Sequence, residues 1–166
     1  MIPTDLDLRL LAGQVADRLL ATGRVLVTAE SCTAGWVAKA CTDWPGSSQW
    51  YRGGAVVYDD ALKVTLLGVR PATLEAHGAV SEPTVREMAS GALAWLGGTI
   101  SVAVSGVAGP GGGSADKPVG TVWLAWALPG ARGDEVRVRH EVFAGDRDAI
   151  RRQAVAVALN GLLEPG

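Results

Sequence analysis

Between residues 5 and 22, apolar side chains return at Leu8, Leu11, Val15 and Leu19. That spacing puts them on one helix face, and Gly23 supplies the residue that ends the helix. A short apolar run, Val25 to Val27, reads as a strand. It breaks into a polar cluster at Thr28, Glu30, Ser31, Cys32 and Thr33, and a helical pattern resumes from about Thr33 to Thr42 with Trp36, Val37, Ala40 and Cys41 turned inward. Pro45-Gly46-Ser47-Ser48 is a turn, and Trp50 to Tyr58 reads as a second strand in which Gly53-Gly54 marks a bulge or a close approach. Asp59-Asp60 open a helix ending near Gly68, because acidic side chains are favourable at the positive end of the helix dipole. Pro71 to His77 predicts a short helix. Glu82 to Leu96 predicts a longer one, with Val85, Met88, Ala89, Ala92 and Leu93 as its apolar face. Thr99 to Val104 is almost continuously apolar, as in a strand covered on both sides. Val119 to Leu128 and Glu135 to Ala144 alternate and are joined by a Pro-Gly turn, which predicts a hairpin, and Asp146 to Leu163 is the final helix.

The predicted order, α-β-α-β-α-α-α-β-β-β-α, implies an α/β fold, most simply a three-layer α/β/α sandwich around a mixed sheet of about five strands. With 166 residues, 48% of them hydrophobic, residues 1–166 are expected to form a single domain with one core. No apolar run approaches the ~20 residues of a membrane span, and the first residues lack a signal pattern, so the expected location is cytoplasmic. A net charge of -2 without a basic run argues against nucleic acid as a partner, and nothing points to a membrane. Trp44, Trp50, Trp95, Trp123 and Trp126 leave two readings open: some face an interface between copies in a homodimer, or all are core.

His77 and His140 are the only histidines, and neither has neighbours at metal-ligand spacing, so no metal or other cofactor is expected. Cys32 and Cys41 match no metal or disulfide pattern. Twelve of the fifteen basic residues are arginine, so Lys39, Lys63 and Lys117 stand out. Lysine, unlike arginine, can surrender its proton inside a protein. Residues 105–118 and the following Val119-Gly120 contain six glycines, enough to lay backbone N–H groups against a phosphate, yet they match neither the P-loop nor the dinucleotide fingerprint. Turns that follow parallel strands gather at one edge of an α/β sheet, so Ser31, the Tyr58–Lys63 segment and Ser105-Gly106 are expected to open onto one crevice. A serine and a neutral lysine there can serve as nucleophile and base, with Tyr58 holding the amine. Two other readings stand beside this one. Ser31 or Thr33 caps a helix, or Cys32 is the nucleophile, activated by that helix.

Six blocks, in order and spanning nearly the whole chain, resemble the CinA C-terminal domain family. They are T-A-E-S-C-T-A-G at 28–35, P-G-S-S at 45–48, Y-D-D-A-L-K at 58–63, H-G-A-V-S-E at 77–82, S-G-V-A-G-P-G-G-G-S-A-D-K-P-V-G-T-V at 105–122 and F-A-G-D-R-D-A-I-R at 143–151. Stand-alone members of that family include nicotinamide-nucleotide amidohydrolases. The resemblance implies metal-independent hydrolysis of the carboxamide of nicotinamide mononucleotide to nicotinate mononucleotide and ammonia, in pyridine nucleotide recycling. It implies Ser31 as nucleophile, Lys63 as base and Tyr58 assisting. By the same resemblance Ser105 would line the site, and Gly106, Gly109 and Arg147 would hold the nucleotide. For acyl transfer at Ser31, backbone N–H groups near Cys32 and Thr33, or those of the 105–109 loop, are expected to stabilise the oxyanion. Two departures from the family pattern stand out. Ala34 replaces the first glycine of a Gly-Gly pair, and Asp59-Asp60 replace Ser/Thr-Asn and bring negative charge towards Lys63. The alternatives are a nucleotide-binding module without turnover and an amidase for a different amide.

Overall fold

The computed structural model describes residues 1–164; residues 165 and 166, the end of the expected domain, lie outside it. Its elements are α1 (Asp5–Thr22), β1 (Leu26–Glu30), α2 (Trp36–Thr42), β2 (Tyr51–Val56), α3 (Asp60–Leu67), α4 (Pro71–His77), α5 (Glu82–Leu96), β3 (Ile100–Gly106), β4 (Thr121–Leu128), β5 (Glu135–Val142) and α6 (Arg147–Gly161). A 3-10 turn, Ser47–Gln49, occupies the Pro-Gly-Ser-Ser segment. Among the described residues no helix is long and apolar enough to cross a membrane.

The five strands form one sheet in the order β2-β1-β3-β4-β5. β1 runs parallel to both β2 and β3, and β4 and β5 continue antiparallel, as the alternating hairpin predicts. One face carries α1, α2 and α6 over Val15, Leu19, Trp50, Val104, Leu124, Ile150 and Leu159; the other carries α3, α4 and α5 over Val27, Val57, Met88, Ala103 and Ala125. The expected three-layer α/β/α sandwich is therefore the observed one.

Two boundaries differ from the hydrophobic pattern for one reason. β1 does not break at its polar residues but runs through Thr28 to Glu30, and α2 starts at Trp36, three residues later than the pattern indicates. Both polar side chains are buried with partners. Thr28 Oγ1 lies 3.1 Å from Tyr51 Oη, and Glu30 is taken up by the start of α2. A polar side chain costs a strand nothing decisive once its hydrogen bonds are made. Gly54 is a close approach as expected, since a Cβ there would stand 2.0 Å from Thr28 Oγ1, and the β1–β2 register shifts between Leu26 and Val27. Of the tryptophans, Trp50 and Trp126 are core, whereas Trp95 is exposed.

Candidate functional site

β1 is the central parallel strand, so the turn after Glu30 lies between the ends of β2 and β3. Ser31 N donates to Val104 O at 2.9 Å, and Val57 N donates to Glu30 O at 2.8 Å. Neighbouring strands are ~4.8 Å apart, which sets Ser31 beside the exits of both. This is the carboxyl edge of a parallel sheet, where α/β folds place ligands.

The turn from Ser31 to Gly35 is organised by Glu30, a role that no sequence pattern signals. Its side chain is buried, and Oε2 accepts from Thr33 Oγ1 at 2.7 Å and from the Gly35 and Val37 amides at 3.0 Å each; Oε1 accepts from Ala38 N at 2.9 Å. The first amides of α2 are thus capped by the carboxylate of the preceding strand. Gly35, at the cap position itself, makes no side-chain cap bond. Neither expected cap residue does the capping: Thr33 donates its hydroxyl to Glu30, and Ser31 Oγ makes none of the bonds that tie Glu30 and Thr33 together. Ala34 N donates to Ser31 O at 3.0 Å. Among the described residues, the Cys32 and Thr33 amides take no part in these bonds, and both residues are buried.

The Cys32 side chain is buried, which speaks against the reading of it as a nucleophile activated by the helix. Burial pushes its thiol up to about 12, far from the thiolate range, and the Glu30 charge adds to the shift.

Lys63 is 1% exposed although it sits only one turn into α3. Asp59 caps that helix by accepting from Ala61 N at 2.8 Å, which fixes the inward face on which Lys63 falls. Its Nζ donates to Tyr58 O and to Asp60 Oδ1, both at 3.2 Å, so the amine rests at the exit of β2, one strand from Ser31. The amine is held by the Tyr58 carbonyl and not by its phenol. The carbonyl and the side chain of Tyr58 reach different groups, so one tyrosine serves two places. Tyr58 is 60% exposed and its phenol oxygen lies 3.4 Å from Arg147 Nη2, while Arg147 Nη1 donates to Gly109 O at 2.6 Å. Tyr58, Arg147 and the glycine-rich loop therefore meet at the mouth of the edge.

Ser105 is buried and donates to Ala79 O at 2.8 Å. Gly106 is required by packing, a Cβ there falling 2.7 Å from Val122 Cγ2. Gly109 has φ +76° and a Cβ would meet Val119. Arg151, also unanticipated, reaches the turn from α6, its Nε donating to Cys32 O and its Nη2 to Thr33 O. No spacing in the sequence signals a contact between residues 118 and 119 positions apart. A hollow of about 240 Å³ is lined by Arg24, Trp126, Arg137 and Glu164 at the amino edge of the sheet. It lies at the far end of the strands from Ser31 and holds no nucleophile, so the chemistry points to the carboxyl edge instead.

Fold and site together define a three-layer α/β protein with Ser31 and the buried Lys63 at the carboxyl edge of its parallel strands. The chain belongs to the CinA C-terminal domain family, whose model matches residues 9–165. It is 54% identical to the nicotinamide-nucleotide amidohydrolase PncC of Escherichia coli (strain K12), over 96% of this chain and 94% of that protein. The nicotinamide-nucleotide amidohydrolase PncC of Pseudomonas putida is 49% identical, over 94% of this chain and 95% of that one. Among solved structures, the competence/damage inducible protein CihA from Agrobacterium tumefaciens superposes with a TM-score of 0.90 at 40% identity, covering 98% of this chain and 96% of its own.

Proposed function

We propose that the chain hydrolyses the carboxamide of nicotinamide mononucleotide to nicotinate mononucleotide and ammonia, a step of pyridine nucleotide recycling, with Ser31 as nucleophile and Lys63 as base. The observation that carries this reading is the burial of the Lys63 amine at the sheet edge where Ser31 lies, in a chain about half identical to amidohydrolases of that name. To accept the Ser31 proton the amine has to be uncharged, with two N–H bonds and one lone pair. Tyr58 O and Asp60 Oδ1 take two donors, and the lone pair is the remaining position, the one a proton from Ser31 would use.

In the first step the Ser31 oxygen bonds to the amide carbon, its proton passes to Lys63, and the carbonyl electron pair moves onto oxygen, facing the Cys32 and Thr33 amides. Lys63 then protonates the nitrogen as the C–N bond breaks, ammonia leaves, and an ester to Ser31 remains. Water, deprotonated by Lys63, cleaves that ester and returns the serine. Arg147, with donors beyond those given to Gly109 and Tyr58, is the natural partner of the phosphate.

The test is ammonia release from nicotinamide mononucleotide under chelator, with the acid product identified by mass. Ser31→Ala is expected to lower turnover at least ~10³-fold and Lys63→Met about 10²–10⁴-fold. Full activity in either variant removes that residue from the scheme, and saturable binding without product replaces the enzyme with a nucleotide-binding module.

A further inference from the structure

Arg151 lies one turn beyond Arg147 on α6, and its guanidinium is spent on main chain. Nε donates to Cys32 O at 3.0 Å and Nη2 to Thr33 O at 3.1 Å, with the group stacked 5.1 Å from the centre of the Trp36 ring. Among the described residues it forms no ion pair, unlike its neighbour Arg152, which pairs with Asp5 and Asp148. A charged fork placed on two successive carbonyls fixes the orientation of the peptides that carry them.

Those peptides belong to the turn after β1. The Cys32 carbonyl and the Thr33 N–H are opposite ends of one planar trans peptide and point in opposite directions. A cation bound at the oxygen aims the N–H away from α6. It also draws electron density from the nitrogen, which makes the N–H a stronger donor. From the other side Glu30 gathers the amides of Gly35, Val37 and Ala38, and Ser31 O takes that of Ala34. The turn is gripped by its carbonyls from α6 and by its amides from β1, and the Cys32 and Thr33 N–H groups are left between the grips.

We propose that Arg151 is the positioning residue of the oxyanion site, holding the Cys32–Thr33 peptide so that the Thr33 N–H meets the oxygen that becomes negative when Ser31 adds to the amide. The proposal rests on the hydrolytic reading of the site. Arg151 touches neither substrate nor reacting atoms; it acts through the peptide.

Steady-state kinetics of ammonia release from nicotinamide mononucleotide by Arg151→Met and Arg151→Lys, with melting curves for each, test it. Loss of one oxyanion donor lowers kcat about 10²–10³-fold. Arg151→Met is expected to lose kcat on the order of 10²-fold with KM within about threefold, since binding of the ground-state amide does not use the strengthened donor. Arg151→Lys is expected to fall between, because an ammonium reaches one carbonyl without the fork. Millimolar guanidinium ion is expected to restore part of the kcat of Arg151→Ala, which a loss of packing alone would not allow. An unchanged kcat, or a loss confined to KM, overturns the proposal, and Arg151→Lys decides between the two outcomes should Arg151→Met fail to fold. If the wild-type chain releases no ammonia but an alkyl fluorophosphonate labels Ser31, the substrate reading fails, and the same ranking of labelling rates among the variants sustains or overturns the clamp. If Ser31 is neither acylated nor labelled, both readings fall.

Discussion

Replacing Glu30 by glutamine changes the shape of the side chain hardly at all and its hydrogen bonding completely. In the structure one carboxylate oxygen accepts from three donors and the other from Ala38 N. The amide that disturbs least keeps its carbonyl oxygen on the three donors and turns its NH2 towards Ala38 N, where two donors then face each other. Bonds to a charged acceptor contribute about 1.5–3 kcal/mol and neutral ones about 0.5–1.5, so three weakened bonds cost ~3 kcal/mol. A buried donor left without a partner costs ~1–3 kcal/mol more. Against this, a neutral side chain avoids the desolvation of a buried charge, which in real proteins is several kcal/mol. The net expectation is a loss of about 2–3 kcal/mol. For a chain of this size each kcal/mol moves Tm by ~2–4 °C, so Glu30→Gln is expected to melt ~4–12 °C below the wild type. Calorimetry, or thermal unfolding followed by circular dichroism, measures this directly. A melting point within ~2 °C of wild type would refute the assignment of the α2 cap to Glu30.

Two further substitutions probe the same framework. Ala34 is exposed and held at φ 49°, a left-handed conformation costing an L-residue roughly 1–2 kcal/mol, against ~0.4–1 kcal/mol for the extra freedom glycine gains on unfolding. Ala34→Gly is therefore expected to raise Tm slightly, by ~1–4 °C, and a lower Tm would contradict it. Burial alone would raise the Glu87 carboxyl, but hydrogen bonds from Arg70 N, the Arg70 guanidinium and Thr73 Oγ1 outweigh it and hold the group below its ordinary 4.5. A depressed carboxyl stabilises the fold above its unfolded value, and the contribution is lost as pH falls through the folded value. Glu87→Gln should thus be less stable than wild type at pH 7, with the gap closing below about pH 4.5 in urea titrations. A gap independent of pH would show that the charge contributes nothing.

The periodicities carry the fold a long way. Leu8, Val15 and Leu19 on α1, the continuous apolar run of β3 and the alternation of β4 and β5 specify type and layer for their elements, because local geometry forces side chains to opposite or common faces every two or every three to four residues. The parallel pairing of β1 with β2 and β3 then brings Ser31, Tyr58 and Ser105 to one edge, and the order of elements along the chain is enough to expect that crevice. Partners are not legible in the same way. Periodicity says which face a residue occupies and nothing about what will stand opposite it. The polar residues of β1 resemble a strand's end until Tyr51 and the α2 amides meet them, and Tyr58 suggests a phenol for Lys63 when it is the carbonyl that holds the amine. Arg151 reaches the turn across more than a hundred residues of chain. A hydrogen bond between distant segments is fixed only when packing sets both segments in place, so the elements are properties of the sequence and the arrangement of the charged groups around Ser31 is a property of the fold.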